Sequence, residues 1–323
     1  IAAGILIGAL IGMHRILLPN MDGLIKAIDV KMKKVKGNTK TGRTHLMDAM
    51  PIDFAQELSG WKAQLESSKK TLIAATSRMN ELPQGGTAIG TGINTHKDFS
   101  KNFCAEVNKI SKLKTKPAKN FFQGLSSVDN AAELSSALKN LSTILMKISN
   151  DLRWMNSGPL TGLGEIELEA IQPGSSIMPG KVNPVVPEAV AMACADVIGN
   201  DVSITVASQS GNFQLNVMLP LVAYNLLKSI NLLGNAMPLL SNKAIKTFKI
   251  NAKNINESLS KNPILVTALN RKIGYGKAAL IAKKAYKENK AIIDVASEET
   301  GISKTELKKL LDPSKLTKGG LSG

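Results

Sequence analysis

The chain has 323 residues, 43% of them hydrophobic and 20% charged, with 41 Lys and Arg against 25 Asp and Glu. That length can bury a large core and corresponds to about two domains, and the composition excludes a disordered or fibrous protein. The net charge of +16 is spread over scattered lysines, with five arginines and 4% aromatic residues, which argues against the basic block and stacking rings of a nucleic-acid binder.

The first thirteen residues, I-A-A-G-I-L-I-G-A-L-I-G-M, are apolar. They lack the basic segment of a signal peptide and fall short of the ~20 residues that span a bilayer. A helix buried in a bundle is expected, with no membrane partner. Gly4, Gly8 and Gly12 recur at spacing four, on one helical face where a second backbone can approach closely. A chain that opens inside a helix is expected to have further residues upstream.

The string G-R-T-H-L-M-D-A-M-P, from Gly42 to Pro51, follows. His45 is one of three histidines, with His14 and His96, and an imidazole exchanges protons near neutral pH. A lone histidine is more often structural, so the string alone leaves both roles open. Asp53 and Gln56 then form a capping-box pattern at the head of a helix spanning 54–82. Leu58, Trp61, Leu65 and Leu72 mark its buried face, and Gln84-Gly85-Gly86 ends it.

The run G-G-T-A-I-G-T-G-I-N-T, Gly85 to Thr95, has the glycines of a phosphate loop. It follows a predicted helix rather than a strand and lacks the lysine of a P-loop, so the nucleotide reading fails. Cys104 and Cys194 stand far apart without ligand spacing. No disulfide framework and no metal site are expected, and a reduced compartment, the cytoplasm, fits.

Helices are predicted over 130–154, 184–201 and 215–240, and strand-like alternation is nearly absent. The fold class is all-α, a bundle of helices longer than the usual ~11–12 residues. Near residue 250 the helical pieces shorten and lysines and breakers become denser. This divides the chain into a bundle domain, 1–250, and a small C-terminal helical domain, 251–323.

Between these helices lies G-S-S-I-M-P-G-K-V-N-P, Gly174 to Pro184. It places two hydroxyls, a cation and a carboxamide on a backbone broken by Gly174, Pro179, Gly180 and Pro184. A polar, hinge-rich loop between rigid elements is a common mount for catalytic groups. Each residue also has a bland reading. Asn183 before Pro184 is a fair helix N-cap, and Glu188 in the next first turn complements the helix dipole.

The ordered string of eleven residues, with the His45 string, G-N-D-V near Asp201, S-G-N-F-Q-L-N-V near Phe213 and V-T-A-L-N near Asn270, resembles the class II fumarases of the fumarase/aspartase superfamily. The resemblance covers essentially the whole chain. It implies a lyase that hydrates fumarate to L-malate without metal or organic cofactor. By resemblance, Ser175 is the base on the carbon proton, and His45, polarised by Glu188, handles water. Thr44, Ser176, Lys181, Val182 and Asn183 would bind the substrate carboxylates.

The family also implies a homotetramer whose active sites combine three regions from different subunits. This chain carries the second and third regions and lacks the N-terminal domain that holds the first. The expectation is a chain that assembles through its long helices but catalyses poorly by itself. Aspartate ammonia-lyase is the nearest alternative; it typically has glutamine at the position of His45 and often alanine at that of Gly180. The alternative of another class is a non-catalytic helical assembly, which the retained Ser175, Lys181, Asn183, His45 and Glu188 argue against.

Overall fold

The computed structural model describes residues 1–320, so the last three residues of the expected 251–323 segment lie outside it. The chain opens with α1 (Ala2–Gly12), a π turn (Met13–Leu17) and α2 (Leu18–Val35). The hairpin β1 (Thr39–Thr44) and β2 (Met47–Asp53) leads into α3 (Phe54–Arg78), β3 (Glu81–Leu82), α4 (Phe99–Ser111), β4 (Lys116–Pro117) and α5 (Phe121–Ser126). Then come α6 (Asp129–Met155), β5 (Ile166–Glu167), α7 (Val185–Gln209), α8 (Leu219–Leu240), a second π turn (Ser241–Ile245) and β6 (Lys249–Ile250). Short helices fill the rest, from α9 (Ala252–Lys261) onward. Helix dominates, as the sequence predicts, and the strands form three two-stranded pieces among the described residues.

Contacts divide the chain into two compact units. The first comprises Ile1–Ala27, Trp61–Arg153 and Glu169–Thr247; the second comprises Ile28–Gly60, Trp154–Leu168 and Phe248–Gly323. In the first unit α7 packs along α8, and α1 with its π turn packs on α8. The glycine face of α1 is used in part. A methyl on Gly12 would sit 2.9 Å from Ile230 Cγ2, whereas one on Gly4 would meet nothing within 4 Å.

The opposing glycine, Gly234, solves a second problem. Pro238 lies inside α8 and has no N–H to give the carbonyl four residues earlier. The Gly234 carbonyl instead accepts from Asn20 Nδ2 at 2.8 Å, so the buried acceptor stays satisfied. Asp201 on α7 is buried and accepts from Ser135 Oγ at 2.8 Å and from Lys139 Nζ at 2.5 Å, both on α6. The two cysteines are free and buried in this unit; burial raises the Cys104 thiol and pushes Cys194 up to about 12.

The predicted helices form with shifted ends, each for a visible reason. The helix from residue 54 stops at Arg78 rather than 82, because Asn130 Nδ2 takes the Arg78 carbonyl and β3 pairs in parallel with β4. The Gly85–Thr95 loop is therefore preceded by two residues of strand, not by helix. Its glycines serve close packing: a methyl on Gly90, at φ +114°, would lie 2.6 Å from Phe122 Cδ1. The helix expected to end at 201 runs on to Gln209, with Asp201 tied into the bundle. The helix expected from 215 starts at Leu219, because buried Asn216 holds the chain just ahead of it in a turn, accepting from the Met218 N–H at 2.8 Å.

By length and composition, Ala2–Val35 and Val185–Gln209 could each cross a membrane. The first is one continuous helix of 34 residues, longer than its apolar run predicted, and half of its most apolar window is buried in the protein. Core helices share that property.

The second unit holds the hairpin, the β5–β6 pair and the C-terminal helices. Leu269, Ile281, Val295 and Leu307 are core residues of one cluster confined to the C-terminal stretch. The capping box at Asp53 forms as predicted: Ala55 N–H donates to Asp53 Oδ1 at 2.7 Å and Asp53 N–H to Gln56 Oε1 at 3.0 Å.

Candidate active site

The serine loop belongs to the first unit and stands before α7. The Ser175 N–H donates to the Lys181 carbonyl at 2.9 Å and the Lys181 N–H to the Met178 carbonyl at 3.1 Å, which folds residues 175–181 into a closed turn. Glycine is required just outside it: a methyl on Gly174 would lie 2.4 Å from the Lys181 oxygen. Inside the turn, Ser175 Oγ accepts from the N–H groups of Ile177 and Met178, each at 3.3 Å.

Those two bonds are an ordinary serine turn in shape, and they also have chemical consequence. An oxygen facing two amide N–H groups is one on which negative charge is stabilised. Serine needs that to act as a base. Ser176, Lys181 and Val182 are exposed on the same turn. Among the described residues Lys181 has no ion-pair partner, leaving its charge available to a ligand.

Asn183 departs from the capping expectation. The N-cap of α7 is Pro184, with no side-chain capping bond. Pro184 sits at φ −79°, ψ 60°, and the Val185 N–H donates to the Asn183 carbonyl at 2.9 Å. This is an inverse γ-turn, and it moves Asn183 one residue outside the helix, so its carboxamide is not consumed by capping. Glu188 is half-buried in the first turn of α7.

Thr44 and His45 belong to the second unit, at the tip of the hairpin that the sequence analysis did not anticipate. The two-residue connection is His45-Leu46, with φ of 54° and 61°. Both central residues of such a tight turn need positive φ, which Asn-Gly supplies at little cost. Leucine there is strained, and strain of this kind marks functional positions. The side chains of Thr44 and His45 are exposed.

What holds the strained tip lies below it. Glu165 accepts from Lys40 Nζ at 2.7 Å and from Arg43 Nη1 at 2.5 Å, with its side chain 3% exposed. Glu57 Oε2 lies 2.8 Å from the same Lys40 nitrogen. Asn262 Nδ2 donates to the Ala49 carbonyl at 2.8 Å and fixes the other strand. Sequence reasoning missed Lys40, Arg43, Glu165 and Asn262. Arg43 stood inside the quoted string, but Glu165 and Asn262 are far away in the chain and carry no local signal. Among the described residues, no three His, Cys, Asp or Glu side chains converge as a metal site would require.

The turn strain is measurable. Leu46 is 62% exposed, so trimming it loses little packing. Leu46→Gly is expected to stabilise the protein by about 1 kcal/mol, read as a higher midpoint in urea; an unchanged or lower midpoint would show that the turn is relaxed as it stands.

A family model described as lyase matches residues 3–199, and one described as fumarase C C-terminus matches residues 265–318. Fumarate hydratase class II 2 of Pseudomonas aeruginosa is 56% identical over 315 residues, 98% of this chain and 69% of the relative. Fumarate hydratase class II of Xylella fastidiosa is 52% identical over 321 residues, 99% of this chain and 68% of the relative. Among solved structures, recombinant class II fumarase from Schistosoma mansoni superposes with a TM-score of 0.94 at 32% identity, covering 98% of this chain and 69% of that one.

Proposed function

Because the chain belongs to the class II fumarate hydratases and is a lyase, we propose that it interconverts fumarate and L-malate with Ser175 as the base on carbon. The observation that carries this reading is the pair of N–H groups aimed at Ser175 Oγ. In the malate-to-fumarate direction, the Oγ alkoxide takes the proton from the carbon beside one carboxylate. The electron pair left behind spreads onto that carboxylate, then closes the double bond as hydroxide leaves. His45, polarised by Glu188, delivers a proton to the hydroxide, and water departs.

Charge builds on a carboxylate during that step, so donors and cations must meet it there. Lys181, Ser176, Val182 and Asn183 on the serine loop, with Thr44 on the hairpin, fit that task. The exposed lysine and the uncapped carboxamide of Asn183 support it. No cofactor takes part in this scheme.

A homotetramer with shared active sites is part of the same reading. Helix α7 is largely apolar, yet only a third of its most apolar window is buried within this chain. Apolar helix surface is normally buried, yet Met192, Val202 and Val206 are 67%, 59% and 50% exposed. Packing against other copies of α7 would cover them, and sedimentation equilibrium reads the assembly directly. The buried thiols fit a reducing, cytoplasmic setting. The C-terminal core around Leu269 and Val295 supports residues 251–323 as a small helical domain.

The deciding experiment is a proton NMR time course of fumarate in water, with and without ammonia. It is run on this chain and on a longer form extended upstream with residues of a class II relative. Malate from either form supports the reading. Aspartate with ammonia and no malate would replace it with an ammonia-lyase, and no product from either folded form would leave the helical-assembly alternative.

A further inference from the structure

Away from the serine loop, the first unit contains a cavity of about 570 Å³ lined by the π turn after α1, the last turns of α3 and the connection after α4. Four basic side chains line it: His14 and Arg15 from the π turn, Lys112 and Lys114 from the connection. No carboxylate does. Its apolar lining includes Ile11, Leu18, Ile73 and Leu113.

Two cations of α3 are neutralised: Lys69 pairs with Asp22 at 2.5 Å and Arg78 with Glu133 at 2.7 Å. Among the described residues no carboxylate pairs with His14, Arg15, Lys112 or Lys114. Arg15 makes one hydrogen bond, to the Ser111 carbonyl at 3.2 Å, and its guanidinium has five N–H donors. Lys112 caps α4 in the left-handed region at φ 63°, where glycine is usual, and a lysine there brings a charge that glycine would not.

Like charges gathered in a concavity repel each other and focus a positive field on whatever enters. An arginine fork adds bidentate recognition of carboxylate or phosphate. The volume lies in the range of small-molecule sites. We propose that this cavity binds an organic polyanion, a small molecule with two or more carboxylate or phosphate groups around an apolar body. None of the residues assigned to fumarate chemistry lines it, so the proposal stands independently of that assignment.

Isothermal titration of the full chain with citrate, with fructose 1,6-bisphosphate and with acetate tests it. At least one polyanion is expected to bind with a Kd below about 1 mM, and acetate is not. Comparing the first two identifies carboxylate or phosphate as the preferred group. Arg15→Gln, and separately Lys112→Gln with Lys114→Gln, are expected to weaken that binding about tenfold or more with unchanged circular dichroism and melting temperature. Removing the same charge elsewhere, by Lys283→Gln with Lys287→Gln on the exposed face of the helix Tyr275–Glu288, is expected to leave it within about twofold. Lys181→Gln is expected to leave it equally unaffected. Equal losses in the control variants, loss on Lys181→Gln, or no binding of either polyanion would overturn the proposal.

Discussion

Ser175→Ala is expected to lower kcat/KM for malate and fumarate interconversion by about 10³–10⁴-fold, near the upper end of what a positioned proton-transfer group contributes. The substitution removes the oxygen that Ile177 and Met178 point at and leaves those two N–H groups in place. They lie on an exposed loop, where water replaces the lost acceptor, so the stability change is expected to stay under about 1 kcal/mol. The turn itself is closed by main-chain bonds between Ser175 and Lys181 and between Lys181 and Met178, which alanine keeps.

Activity and stability therefore separate. Measured in the same form of the protein as the unmodified sequence, Ser175→Ala should melt at nearly the same temperature while product formation falls to the assay floor. A loss smaller than tenfold would remove Ser175 from the proton transfer and leave it a turn residue. Ser176→Ala, which changes a neighbouring hydroxyl without those two donors, provides the internal comparison; its expected loss is about tenfold, the scale of one hydrogen bond to a charged group.

The second large effect is structural. Glu165→Gln is expected to destabilise the protein by about 3–5 kcal/mol, the usual result of removing one charge from a buried ion cluster. Glu165 and Lys40 are almost fully buried, with side chains 3% and 6% exposed, and Arg43 is 15% exposed. Two carboxylates, Glu165 and Glu57, balance two cations there. Glutamine keeps the volume and one hydrogen bond but leaves an uncompensated positive charge out of water.

The melting temperature should fall by about 10 °C. Because Lys40 and Arg43 lie on β1, the loosened element is the hairpin that carries Thr44 and His45. Adding Lys40→Met to Glu165→Gln should recover part of the loss, since an apolar replacement of a buried pair is often neutral. The two changes would then be clearly non-additive. A destabilisation below about 1 kcal/mol would show that water already reaches the cluster.

Local signals carried much of this protein. The Asp53–Gln56 capping pair, the apolar spacing of α3 and the proline at residue 184 act within a few residues of themselves, so helix positions were readable even where their ends moved. The ends moved where distant groups intervened. Asn130 took the Arg78 carbonyl, Ser135 and Lys139 drew Asp201 inward, and buried Asn216 delayed the start of α8. None of those partners is visible from the helix it modifies.

The candidate site divides along the same line. The residues from Ser175 to Asn183 are contiguous, so one short string determined their identities and their order, and a tight turn does the rest through its own main chain. The hairpin was not legible, because its strands lack period-two alternation and its His45-Leu46 turn lacks the residues such turns prefer. Glu165, 125 residues beyond Lys40, neutralises its charges, and Asn262, 213 residues beyond Ala49, holds its second strand. Sequence alone determined which groups are present, because helix periodicity and turn chemistry are short-range. Tertiary structure alone decided how the hairpin tip is held, because a strained turn persists only when burial and charge from distant segments over-determine it.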